Sequence, residues 1–386
     1  MRWVMLLGAM LSTSVVGTRV TTALSAVHLG LSPSSIGLII AAFSLMPLMF
    51  AVRGGKLIDR VGVRLPMAAG GLLACIGMVC CAFMLNPWVL AMAAIVIGLG
   101  HMCFSLGMQH AAGELGGPSR RTANFNLLTM SYSFSGMLGP PIAGFVIDHA
   151  GYRAAFAVLS IISLCVAIAC YRFPFERHLP IGASSRDADP GPDHTPKRFW
   201  TSTIELLSAR PLRHALIASL TIAAAWDAFQ FLIPLHAHSI GLSASSVGMV
   251  IASFSTGSLI VRLLLARLLT VMSTSNWVIV ALGLSLTGYA IMPFSSVLPV
   301  AMAMAFMLGM GPGIGQPLLL SALHSASPAG RAGEAAGLRL TLLSASQILL
   351  PLALGLIGEI VGIPPLFWIY SLIALSVAAM LWRSRG

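Results

Sequence analysis

Residues 31–44 read LSPSSIGLIIAAFS, and residues 242–255 read LSASSVGMVIASFS. The second stretch repeats the first at an offset of 211 residues. The same offset, without a gap, carries Gly98-Leu99-Gly100 onto Gly309-Met310-Gly311 and Arg120 onto Arg331. It also carries Pro140 onto Pro351, Asp148 onto Glu359 and Gly151 onto Gly362. One weak match would carry little weight. Matches at one fixed offset along most of each half imply two copies of one structural unit, arranged as parallel repeats with a site between them.

Composition says what the unit is made of. The chain has 386 residues, of which 57% are hydrophobic and 9% charged. A soluble domain carries about 25% charged residues, so this chain is built for lipid. A spanning helix needs about 20 apolar residues, and about twelve such stretches are present. They run 3–28, 36–54, 66–85, 88–112, 124–147, 154–172, 213–236, 245–266, 277–295, 298–322, 337–359 and 364–383. In hydrocarbon every backbone polar group must be satisfied within its own segment, so these are helices. The expected fold is an all-α membrane protein with two six-helix bundles, 1–173 and 213–386. Residues 174–212 join them. The segment from 174 to 200, PFERHLPIGASSRDADPGPDHTPKRFW, reads as a flexible linker, and 199–209 as a short amphipathic helix lying on the membrane surface.

The net charge is +11. Its placement excludes a nucleic-acid partner. With the N-terminus inside, Arg53, Lys56, Arg60, Arg64, Arg120, Arg121, Arg172, Lys197, Arg262, Arg267, Arg331 and Arg383 all fall on one side. Arg153 is the only basic residue in a predicted outer loop. This is the positive-inside pattern, and it predicts an inner-membrane protein with both termini cytoplasmic. All six cysteines lie in predicted spans without metal-ligand context and read as small packing residues. The N-terminus imitates a signal peptide. Arg19 interrupts its apolar run, however, and 3–28 is the repeat partner of 213–236, so it reads as the first span.

Between the second and third spans stands Gly55-Lys56-Leu57-Ile58-Asp59-Arg60-Val61-Gly62-Val63-Arg64. It resembles the G-x-L-x-D-R-x-G-x-R loop signature of the major facilitator superfamily. With the spans, the repeat and the central linker, the resemblance covers the whole chain. Glycines permit the tight turn, and basic residues hold the loop in the cytoplasm. Asp59 can meet a helix N-terminus or a basic partner as a charge latch. In the second copy Asp59 becomes Thr270 and Gly62 becomes Ser273, so any such latch is one-sided.

In the fifth span, Gly136-Met137-Leu138-Gly139-Pro140-Pro141-Ile142-Ala143-Gly144 is similar to the signature of proton-coupled drug antiporters in this superfamily. Gly136, Gly139 and Gly144 permit close helix packing, and Pro140 bends the helix. Gly139 is expected to tolerate no side chain. Gly144 is expected to be more tolerant, because its partner Gly355 lies in a copy that has lost the preceding glycines. The family's Arg four residues before the fourth-span G-x-G is absent: that position is Ala94.

A charge at bilayer depth costs at least about 2.5–3.5 kcal/mol and usually marks a pathway. Arg19 lies about 24 Å along the first span and Asp227 about 21 Å along the seventh, at 1.5 Å per residue. In the superfamily these helices face each other across the central cavity, so an Arg19–Asp227 pair is expected. Burial disfavours the charged form of Asp227, which suits it to carry a proton. Gln230 lies one turn on, Trp226 is a candidate wall for an aromatic or cationic ligand, and His101 a candidate cavity residue. Glu114, Glu334 and Arg339 read as interfacial. His236 and His238 point about 200° apart on a helix and cannot chelate one metal together.

The sequence therefore predicts a transporter of small, partly apolar molecules, monomeric, driven by protons and working by efflux. Uptake of an organic anion held by Arg19 is the alternative. No cofactor, metal or catalytic residue is expected, since no zinc motif, nucleotide loop or nucleophile elbow is present.

Overall fold

The computed structural model describes residues 2–114, 121–172, 210–295, 297–326 and 332–383. The linker and the surface helix expected at 199–209 lie outside the described residues. Among those described there is helix and no strand. The first half holds α1 (Arg2–His28), α2 (Pro33–Val61), α3 (Arg64–Phe83), α4 (Pro87–Glu114) and α5 (Arg121–Arg172). The second holds α6 (Arg210–Ser239), α7 (Ala244–Leu268), α8 (Thr274–Ile291), α9 (Leu298–Ala326), α10 (Ala332–Val361) and α11 (Pro364–Arg383). All eleven are long and apolar enough to cross a membrane.

The stretch labelled α5, 52 residues long, holds two helices that meet at a kink. One residue inside it is not helical: Gly151, at φ 83° and ψ 173°. Gly362, its repeat partner, has the same φ of 83° and separates α10 from α11. An L side chain rarely adopts this angle, so glycine marks the turn in both copies.

The repeat is visible in the turns as well. Gly30 and Gly241, 211 residues apart, both have positive φ, at 71° and 76°. Each ends a helix with the same two backbone bonds, Gly30 N–H to Val27 O and Leu31 N–H to Ala26 O, then Gly241 N–H to His238 O and Leu242 N–H to Ala237 O. This is the Schellman arrangement, which satisfies carbonyls that a helix end leaves over. Two residues later Ser32 and Ser243 cap α2 and α7 through their hydroxyls.

Packing follows the same two-fold plan. The α1 helix packs on α5, α3 on α4 and α5, and α9 on α7 and α8. Contacts across the halves run α2 against α10 and α5 against α7. Outward-facing large apolar side chains, such as Trp88 at 82% exposed and Ile360 at 83%, suit lipid rather than water.

Candidate functional site

The two halves meet most closely at the end away from the basic residues. A Cβ added to Gly37 on α2 would stand 2.3 Å from the carbonyl oxygen of Pro351 on α10. A Cβ on Gly248, its repeat partner on α7, would stand 2.4 Å from the carbonyl oxygen of Pro140 on α5. The next glycines do the same. Gly144 lies against Ala244 and Ser245, and Gly355 against Pro33 and Ser34, again at equivalent positions. Four glycines thus let two helix pairs touch backbone to backbone across the repeat.

This corrects the expectation for Gly144. Its Cβ would fall 2.2 Å from the Ala244 carbonyl oxygen, so it has no more room than the others. Gly139 makes a different contact. Its Cβ would lie 2.5 Å from the Thr13 carbonyl oxygen on α1, inside the first half. Gly136 faces Ser255 on α7, with Trp226 nearby.

Asp148, in the stretch of α5 just before Gly151, reaches the opposite half. Its carboxylate oxygens accept hydrogen bonds from Ala244 N–H at 3.0 Å and Ser245 N–H at 2.9 Å. These are the first residues of α7, where unsatisfied N–H groups and the positive end of the helix dipole favour an anion. The equivalent corner differs. Pro33 replaces Ala244 and has no N–H to give, and Glu359 is exposed.

Below these contacts lies a small cavity of about 30 Å³. It is lined by Arg19 and Val20 from α1, Ile40 and Ser44 from α2, Asp227 and Gln230 from α6, and Gln347 and Pro351 from α10. Arg19, Asp227 and Gln230 therefore converge from two helices that the repeat makes equivalent. The guanidinium of Arg19 stands 5.3 Å from the centre of the Phe43 ring, a cation–π contact. Its Nε is buried without a hydrogen-bond partner. Arg19 is within electrostatic reach of both Asp227 and His101. Ser44 Oγ donates to Gln347 Oε1 at 3.4 Å. The backbone of α6 is held around Asp227 by two tyrosines: Tyr289 Oη donates to Ala225 O at 2.5 Å, and Tyr370 Oη donates to Thr221 O.

Trp226 stands outside this cavity. It packs edge-on against Phe254, ring centres 5.0 Å apart, and Phe254 stacks on Phe229. His101 is half-buried on α4 and is not part of the lining. His236 is buried, its ring edge-on to Phe367, and His238 is exposed. In the loop motif, Gly62 has φ 82° and caps α2 by donating to Ile58 O. Arg64 donates through Nε to Tyr171 O at 3.0 Å, tying the turn to the end of α5. The burial of Gly55 and the side chains of Lys56, Asp59, Arg60, Glu114 and Glu334 lie outside what is described.

Sequence reasoning missed a second polar bridge. Arg262 on α7 donates through Nη1 to Ser133 Oγ on α5 at 3.0 Å and through Nη2 to Gln316 Oε1 on α9 at 2.6 Å. By sequence it counts among the inner-side charges, because it stands near the end of its span 245–266. Arg339, read as interfacial, donates through Nε to Ser219 Oγ on α6 at 2.6 Å. Gln347 occupies the position of Gly136 in the second copy, and a polar residue at span depth is itself a signal.

Comparison with known proteins agrees with this architecture. The profile of the Major Facilitator Superfamily matches residues 3–339 and again 215–386, so the chain belongs to that superfamily. Among curated relatives, a stretch of 130 residues is 29% identical to a probable vesicular acetylcholine transporter-B of Danio rerio, covering 33% of this chain and 26% of that one. A stretch of 120 residues is 27% identical to the quinolone resistance protein NorA of Staphylococcus aureus, covering 31% of each. The matches thus span about a third or less of those relatives. Among solved structures, a mutant of the nucleoside transporter NupG superposes with a TM-score of 0.76 at 13% identity, over 98% of this chain and 99% of that one. A mutant of the peptide transporter POT gives 0.75 at 16% identity, over 98% and 93%. At these identities the likeness is one of fold. By its family and its eleven long apolar helices the protein is a multi-pass membrane protein, and the relatives and structural neighbours it matches are transporters.

Proposed function

We propose that the protein exports small, partly apolar molecules in exchange for protons, by alternating access. In this reading twelve spans form two six-helix bundles, 1–173 and 213–386, with α5 supplying two spans that meet at Gly151. Residues 174–212 and both termini are cytoplasmic, in a bacterial-type inner membrane, and one chain is the working unit. The observation that carries the reading is the convergence of Arg19 and Asp227 on one cavity where the halves meet. An acid and a fixed cation sharing an enclosed space can exchange a proton for a substrate charge. Protonation of Asp227 would leave Arg19 unbalanced, and the cavity would then release a cation or take up an anion.

The tight α5–α7 and α2–α10 contacts seal the end away from the basic residues, as alternating access requires for transport in either direction. By the positive-inside rule that end is the outer one, so this is a conformer closed to the outside. Its seal runs through the Gly136–Gly144 stretch that resembles antiporters. The similarity to a resistance protein points to export, because a transporter confers resistance by removing the drug.

The second reading, uptake of an organic anion, is favoured by the unpartnered Nε of Arg19. A substrate panel in proteoliposomes, with and without a pH gradient, decides between them. Export predicts that overexpression lowers cellular accumulation and that an uncoupler restores it. Accumulation that rises on overexpression would favour the anion reading.

A further inference from the structure

We infer that the second half carries a binding site for an anionic phospholipid at its basic end, apart from the central cavity. A cavity of about 1100 Å³ opens there between α6, α8, α9 and α11. Arg210, Arg213 and His214 line it from α6, and Arg383 from α11. Thr274 and Ser275, the first residues of α8, line it from a third side. Its remaining wall is apolar, with Val278, Leu319 and Met380.

Three sources of positive potential converge on this space, the arginines and the starts of α6 and α8, and nothing described balances them. The three arginines have no hydrogen-bond or ion-pair partner among the described residues. The 30-residue helix α6 begins with Arg210 and Arg213 and has no acidic residue in its first turn. Cations at a helix N-terminus oppose the helix dipole, an arrangement that an anion relieves. The 18-residue helix α8 also begins without an acidic residue, and Ser273 makes no side-chain cap bond to it. Thr274 and Ser275, its first two residues, line the cavity, and N–H groups at a helix start favour an anion.

The positive-inside rule alone requires basic residues at this end, but does not require them to ring one cavity. The apolar wall decides the class of ligand. A free phosphate would gain nothing from Val278, Leu319 and Met380. A phospholipid places its phosphate among the arginines and its glycerol and first methylenes against that wall. Basic pockets between spanning helices are where anionic headgroups bind. The site is independent of transport direction and of the role of Asp227.

The test uses the full chain purified in neutral detergent, with melting temperature followed against added lipid. Phosphatidylglycerol should stabilise the wild type in a saturable way, and phosphatidylcholine should not. The R210Q/R213Q/R383Q variant should lose on the order of a hundredfold in apparent affinity, about fivefold for each arginine. Arg383→Gln alone should lose about fivefold, which keeps the test open if the triple variant fails to fold. Replacing three exposed arginines elsewhere (R153Q/R172Q/R267Q) should leave the affinity unchanged. An unchanged affinity in R383Q and the triple variant would overturn the proposal. So would equal stabilisation by inorganic phosphate, which would mark a site for a free anion, or equal losses in both triple variants, which would mark a non-specific charge effect.

Discussion

Asp148 caps the helix that begins at Ala244, and in doing so its carboxylate joins the two halves of the repeat with bonds of 3.0 and 2.9 Å. The cap is local chemistry put to a long-range use. It forms only when α5 and α7 touch, so it stabilises the conformer closed at this end and no other. The opposite corner has Pro33 where Ala244 stands, so it lacks one of the two donors, and Glu359 there is exposed.

Asp148→Ala should therefore favour opening at this end by about 0.5–2 kcal/mol, the usual worth of a helix cap. In a background without the six native cysteines, Val20→Cys in the cavity should react faster with a membrane-impermeant thiol reagent added from outside. Glu359→Ala should leave the rate unchanged. Equal rates in all three proteins would show that the cap does not hold the closed conformer.

The glycine contacts divide into two kinds, and substitution should separate them. Gly37→Leu and Gly248→Leu place side chains against the Pro351 and Pro140 backbones, and Gly144→Leu against Ala244. All three should allow folding but block closure, so coupled transport falls while melting temperature changes little. Gly139→Leu strikes Thr13 within one half and should instead destabilise the fold, by about 1–3 kcal/mol as overpacking usually does. Gly283, whose Cβ would meet nothing within 4 Å, should accept alanine without effect on either measurement.

The fold was largely legible because it is written twice. The 211-residue offset paired Gly37 with Gly248 and Pro140 with Pro351, and those pairs make equivalent contacts. What the offset could not say is which partner each glycine meets. Gly139 and Gly144 sit five residues apart on one helix, yet one faces α1 and the other α7. A single helix pattern does not encode which neighbour covers each face. Asp148 was visible only as the repeat partner of Glu359, since a carboxylate near a turn carries no periodic signal. Arg262 was hidden by its position, because a charge near the end of a span satisfies the positive-inside pattern without further explanation. For the cavity, Arg19, Asp227 and Gln230 could be named because buried charge in an apolar run is rare. Ser44 and Gln347 could not, being ordinary polar residues until α2 and α10 are brought together.

Arg262 bridges Ser133 in one half and Gln316 in the other. Hydrogen bonds from a charged group contribute about 1.5–3 kcal/mol. Arg262→Leu should lower the melting temperature of the purified protein. Arg262→Lys should recover only part of it, because an ammonium cannot reproduce the guanidinium's fixed two-pronged geometry. Ser133→Ala should cost less than either if the Gln316 bond is the stronger one. Wild-type stability in Arg262→Leu would mean that the bridge contributes nothing.

The central claim is that Asp227 carries the proton and Arg19 answers its charge. It is tested most directly by transport in proteoliposomes containing Asp227→Asn, with a substrate identified from the panel, measured with and without a pH gradient. The variant should insert and bind substrate, and exchange without a gradient should continue. Gradient-driven accumulation should be lost, and adding Arg19→Gln should not restore it. Accumulation at the wild-type level in Asp227→Asn would contradict the account. A variant that mainly loses stability, and regains it with Arg19→Gln, would equally contradict it by making the two residues a structural pair.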